Sequence, residues 1–320
     1  MFKSPVEEGW QYWVRWQVPV CGLIIAIPCV FAVKFIRKSM ADPLLLSDLW
    51  ATHWRHLSPV WLLLYRAFAF VCCVQLLYEI VALHGPFVFF FYTQWTMALV
   101  AIYFALGTIV SACGYWYPTR KTQSKNEEDV KLMEKDLKKN GDSDKEDTIK
   151  VQNKYAQEEF QEKAGYLGTL MQIAYLAAAG ASVLTDVVFW CLLVPFLLGE
   201  DFHVSLLIGS IHALNAVFLL GDTALNSLSF PFGGFAYFVA FGGLYVAFQW
   251  TAHACCVNWW PYPFLELSTP WAPFWYLGLA VIHIPCYGIY ALIVKAKYSF
   301  LPTLFPHAFV KSCSSLSLYI

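Results

Sequence analysis

The stretch FVFFFYTQWTMALVAIYFALGTIVSAC, residues 87–113, carries no Lys, Arg, Asp or Glu in 27 positions. As a helix it would rise roughly 40 Å, more than the roughly 30 Å thickness of a bilayer's hydrocarbon core. Lipid offers no hydrogen bonds, so each backbone N–H and C=O must be satisfied within the segment, and the run reads as a transmembrane helix.

Six further apolar runs meet or approach the length of a crossing: residues 18–35, 61–83, 166–193, 204–225, 235–256 and 273–294. Residues 184–198 either prolong the fourth span or form a separate re-entrant piece, because Pro195 removes a donor from a helix interior. The run beginning at Val18 lies too far in for a cleaved signal, lacks a small-residue cleavage site and is closed by Lys34, Arg37 and Lys38. The expected fold is therefore all-α, a polytopic transmembrane helix bundle of about seven spans, six to eight if boundaries shift. Composition agrees: 59% of the 320 residues are hydrophobic and 13% charged, about half the charge of a soluble chain.

The charges divide the chain. Of 43 Lys, Arg, Asp and Glu, 23 fall within residues 118–163, where basic and acidic side chains alternate too closely to bury a core. The expected organisation is 1–117 for a tail and three spans, 118–163 for a disordered or partly helical cytosolic loop, 164–298 for four more spans, and 299–320 for a cytosolic tail. Helix-forming composition recurs at 127–139 and 151–163. With seven spans, one side gathers 18 of the 21 Lys and Arg, the other only Lys3 and Arg15, with Arg66 inside the second span. By the positive-inside rule the N-terminus lies outside and the C-terminus in the cytosol.

Net charge is −1, and without an isolated basic patch there is no footprint for nucleic acid. Membrane lipids are the expected partners. Ten cysteines occur without a C-x-x-C pair, mostly in apolar runs where a thiol acts as a small hydrophobe. Trp and Tyr gather near the span ends, at 10–16, 115–117 and 259–262, as an aromatic belt does. The terminal Ser317, Leu318, Tyr319 and Ile320 are not a retention signal, so plasma membrane and endomembrane both fit.

Function is sought among ionisable groups within spans, each costing roughly 2.5–3.5 kcal/mol in hydrocarbon. They are Arg66, Glu79, Asp186, His212, Asp222, His253 and His283. In the fifth span Ser205, His212, Asn215, Asp222 and Asn226 fall on one helical face, which should point into the bundle. Arg66 and Asp222 both come out near the cytosolic side, where a structural ion pair would leave neither charge uncompensated. His212, His253 and His283 with Asp186 have the inventory of a zinc site, although no local ligand spacing supports a metal. A His beside a hydroxyl could instead run acyl transfer, with Thr169, Thr185 and Ser205 as the hydroxyls at hand. The pairs at Gly233 and Gly242 lack the setting of a phosphate loop, and nothing calls for a cofactor.

The strings THWR (52–55), YFALGT (103–108), LTDVVFW (184–190), WWPYPFLEL (259–267), PWAP (270–273) and HIPCYG (283–288) together resemble plant multi-pass membrane proteins related to the rolling stone protein. More distantly, LTD at 184–186, His212 followed ten residues later by Asp222, and YPFLE at 262–266 are similar to the androgen-inducible family of fatty-acid-ester hydrolases. That resemblance implies an intramembrane Thr and His, with His212 as the catalytic histidine. It also places Gly168 where those hydrolases have Thr, with Thr169 one residue on.

Two functions follow. One is a non-catalytic membrane protein serving interaction, scaffolding or transport. The alternative is a lipid-ester hydrolase with His212 as base, Thr169 as nucleophile, and Asp186 or Asp222 orienting the ring. Epitope tags at the two ends of the chain test the topology in selectively permeabilised cells. Only the C-terminal tag should be reached from the cytosol; cytosolic access to the N-terminal tag contradicts the orientation.

Overall fold

The computed structural model describes residues 9–39, 46–136, 165–197, 199 and 203–309. Seven helices are long and apolar enough to cross a membrane: Gln17–Lys38, Pro59–His84, Tyr92–Trp116, Tyr166–Leu197, Leu206–Leu225, Phe232–Cys255 and Ala272–Leu304. They are the first to seventh spans, and the chain is an all-α multi-pass membrane protein. No strand occurs among the described residues, only isolated bridges of Thr52 with Asn226 and Trp54 with Phe309. The helix of the third span continues to Asp136, so the first part of the charged segment is helical. The helix expected at 151–163 lies outside the described residues.

Local chemistry sets the span ends. Ser58 accepts the N–H of Val60 at 3.4 Å, and Pro59 opens the second span, where its missing donor costs nothing. Gly85 ends that span at φ +77, a backbone angle open chiefly to glycine. Its N–H closes on the Val81 carbonyl at 2.8 Å. A turn of 3-10 helix, Pro86–Phe90, then returns the chain directly into the third span.

The fourth span lies at the centre, packed against the third, sixth and seventh. Its run Ala177, Ala178, Ala179, Gly180, Ala181 and Ser182 permits that crowding. A Cβ added at Gly180 would stand 2.5 Å from the Phe238 ring on the sixth span, closer than atoms can approach. The span does not stop near Leu193 but continues as a wide π-helical segment, Phe189–Leu197, containing Pro195. The stretch left open by the sequence thus prolongs the fourth span.

The connections alternate between two ends, as seven crossings require. At one end the Tyr12 hydroxyl donates to Glu266 at 2.7 Å, Trp260 Nε1 donates to Tyr12 at 3.0 Å, and Tyr245 donates to the Phe90 carbonyl at 2.9 Å. Burial and the adjacent Glu266 carboxylate push the Tyr12 phenol well above its usual value, so it remains the donor. Tyr12 and Trp260 are therefore clamps between the short N-terminal helix Gly9–Trp13 and the 256–271 connection, whereas Trp10, Trp16 and Trp116 are exposed as an aromatic belt requires. At the other end Ser227 donates to the Ala51 carbonyl at 3.0 Å, beside the bridge from Thr52 to Asn226.

That second end holds the expected ion pair. Arg66 Nε donates to Asp222 Oδ1 at 2.8 Å, and both side chains have 0% exposure. Arg66 Nη1 also donates to the Leu49 carbonyl at 2.8 Å and to Ser111 Oγ at 2.6 Å. Asp222 Oδ2 accepts from Tyr103 and, at 2.7 Å, from Asn226 Nδ2. Lys297 on the seventh span donates to the Asn226 carbonyl at 2.6 Å. Four spans are thus joined through one polar centre.

Arg66→Met should destabilise the protein by about 3–5 kcal/mol, because it strands a buried carboxylate. The double variant Arg66→Met/Asp222→Leu should lose less than either single variant. Unfolding in detergent micelles measures both; losses in the double variant equal to the sum of the singles contradict the coupling.

Candidate active site

The fifth span is two helices, Leu206–Ile211 and Leu214–Leu225, and the residue at the break is His212. Its backbone leaves the helical region at φ −106, ψ 18, followed by Ala213 at φ −143, ψ −42. Neither Gly nor Pro stands there, and the break is held from outside. Trp190 Nε1 donates to the freed His212 carbonyl at 2.9 Å, and the imidazole lies flat on Phe189 with centroids 3.6 Å apart. The fifth-span break therefore abuts the π-helical segment of the fourth.

The polar stripe points inward from His212 onward: His212, Asn215, Asp222 and Asn226 are buried. Ser205 departs from the expectation. It is exposed and caps the short helix by accepting the Ile208 N–H at 3.2 Å.

His212 lines a cavity bordered by residues of the third, fourth, fifth, sixth and seventh spans. The walls are mostly apolar, with Leu184, Val188, Leu193, Val246 and Leu279 among them. Five hydroxyl-bearing residues, Tyr92, Thr93, Thr185, Tyr245 and Tyr262, also line it. Thr93 Oγ1 stands 3.4 Å from His212 Nε2. Thr185 lines the same space but is bonded to Thr96 at 3.0 Å. Tyr92 lines it too, and its hydroxyl oxygen is buried without a hydrogen-bond partner. Tyr262, from the connection that roofs the cavity, accepts the Tyr92 N–H at 3.0 Å, and its hydroxyl lies against that of Thr93. Burial pushes the Tyr262 phenol up to about 12, so it stays protonated at neutral pH.

The other expected site residues are elsewhere. Thr169 is partly exposed, its hydroxyl directed at the Gly165 carbonyl at 3.4 Å. It precedes Phe189, which stacks on His212, by twenty residues of one helix, or roughly 30 Å. Thr169 therefore cannot be the nucleophile for His212. Asp222 is engaged by Arg66 and lies roughly 15 Å along the span from His212. Asp186 accepts from Asn215 Nδ2 at 3.2 Å, one helical turn from the Phe189–His212 stack. Neither acid orients the imidazole, and His212 Nδ1 is buried without a partner.

The histidines do not converge as a metal site. His283 shares the cavity with His212. His253 instead stacks on Trp260 at 4.1 Å beside Tyr12. Among the described residues no group of three or more His, Cys, Asp and Glu could hold a metal ion.

Comparison with family models, with curated proteins and with solved structures finds no match. The cavity's geometry is therefore the ground for a functional reading.

Proposed function

We propose that this protein is an intramembrane hydrolase of lipid esters, with Thr93 as nucleophile and His212 as general base. The observation that carries the reading is the 3.4 Å approach of Thr93 Oγ1 to His212 Nε2 inside a largely apolar cavity. The separation lies at the loose end for such a pair, which substrate binding commonly tightens. The distant likeness to ester hydrolases that use an intramembrane Thr and His belongs to the same proposal, with Thr93 replacing Thr169 as the hydroxyl.

The chemistry follows from the arrangement. Thr93 Oγ1 attacks the ester carbonyl carbon while its proton passes to His212 Nε2. The carbonyl oxygen becomes an oxyanion, and the unpartnered hydroxyl of Tyr92 is the donor available to it. Collapse breaks the bond to the alcohol, which leaves with the proton from His212. Water then attacks the acyl-Thr93, giving a proton to His212, which returns it to Thr93 Oγ1 as the acid is released. A surrounding of low polarity strengthens each of these hydrogen bonds.

One observation favours the non-catalytic reading: no carboxylate supports His212 Nδ1. Hydrolysis by protein in lipid nanodiscs separates the two. Thr93→Ala and His212→Ala should each lower kcat by about 10²-fold or more, whereas Thr169→Ala should match the wild type. Absence of turnover across a broad panel of acyl esters, or undiminished turnover in Thr93→Ala, contradicts the hydrolase reading.

A further inference from the structure

The wall of the cavity contributed by the sixth and seventh spans carries a second polar atom, which the hydrolytic chemistry does not use. His283 Nδ1 lies 2.6 Å from the Leu279 carbonyl oxygen. A carbonyl only accepts, so Nδ1 carries the hydrogen, and the neutral ring presents a lone pair at Nε2. The ring is held in orientation by Phe238, centroid to centroid 4.5 Å at 28°. Among the described residues no protein atom is bonded to Nε2.

Space in front of that atom is kept by the sequence. A Cβ added at Gly242 would stand 2.7 Å from His283 Nε2, too close for any real contact. Glycine costs a helix interior about 1 kcal/mol relative to alanine, and here it leaves the His283 ring and its Nε2 uncrowded. The site is also level with the Thr93–His212 pair. Tyr92, the neighbour of Thr93, rests its ring on Phe241 at 5.8 Å, next to Gly242, and on Tyr245 at 4.9 Å, about one turn on. Gly242, His283, Thr93 and His212 all line the one cavity.

We infer that His283 Nε2 accepts a hydrogen bond from a free hydroxyl on the alcohol portion of the bound lipid ester. The preferred ligands are hydroxylated esters, of which a monoacylglycerol is the simplest, over plain alkyl esters of the same acyl chain. This rests on the hydrolase reading for its substrate, but the hydroxyl site itself is a matter of binding. An ester without the hydroxyl would fill the cavity and leave Nε2 unpaired and cut off from water, a loss of roughly tenfold or more in affinity.

Equilibrium binding of tritiated 1-O-hexadecylglycerol, an ether that cannot be hydrolysed, tests the site on full-length protein in detergent by scintillation proximity. Its counterpart with both hydroxyls methylated serves as competitor. The wild type should bind the free diol roughly tenfold or more tightly than the dimethyl ether. His283→Phe should abolish the preference, and so should Gly242→Ala, whose added Cβ crowds His283 Nε2. Equal affinity for the two ethers in the wild type overturns the inference, as does a preference that survives in a folded His283→Phe. A preference lost in His283→Phe, in a protein that hydrolyses no monoacylglycerol, upholds the hydroxyl site and removes the hydrolase reading alone.

Discussion

Arg66 and Asp222 are withdrawn from solvent entirely, and each costs several kcal/mol to bury as an ion. That cost is offset where the charges touch and most of their remaining donors and acceptors are filled, although Arg66 Nη2 is buried without a partner. Leu49, Ser111, Tyr103 and Asn226 supply the additional bonds, and Lys297 reaches the same corner through the Asn226 carbonyl. The register of the second, third, fifth and seventh spans at this end follows from the requirement. A shift of one residue on any of these helices turns its polar group by about 100° and away from the centre.

Pinning the far half of the fifth span leaves its near half to follow other demands. Residues Leu206–Ile211 take a separate helical course, and the chain breaks at His212 against the π-helical segment of the fourth span. Irregular backbone at membrane depth persists only where protein buries it or where it lines a cavity. Two irregular segments meeting face to face, with Trp190 satisfying the exposed carbonyl, mark this as a built location. The cavity beside it is lined on one side by the 256–271 connection, which Tyr12 and Glu266 fasten to the N-terminal helix. Thr93, His212, Tyr92 and His283, with Thr185, Tyr245 and Tyr262, bring polar chemistry into an otherwise apolar space.

The spans were legible because length and the exclusion of charge suffice to define them, and the Arg66–Asp222 pair because both charges came out at one depth. The inward stripe on the fifth span was legible from helical spacing. Its break was not, since Ser210-Ile211-His212-Ala213 contains no breaker and the cause lies on a neighbouring helix. Thr93 is not an ionisable group and carries no such signal, although the FYTQWT string at 91–96 begins the third span with two hydroxyls beside a tyrosine. Thr169 was drawn from a count along a distant resemblance, and helical rise alone places it a full membrane thickness from His212. His253 belongs nearer the outer face than His212 and His283, and the aromatic clamp at the chain's N-terminal end claims it.

The central claim is that Thr93 is a nucleophile activated by His212, and covalent capture tests it most directly. Purified protein in nanodiscs would be treated with a long-chain alkyl fluorophosphonate and the adduct located by peptide mass spectrometry. The account predicts one stoichiometric adduct on Thr93, lost in His212→Ala. An adduct on another residue, or labelling of Thr93 undiminished by loss of His212, would contradict it.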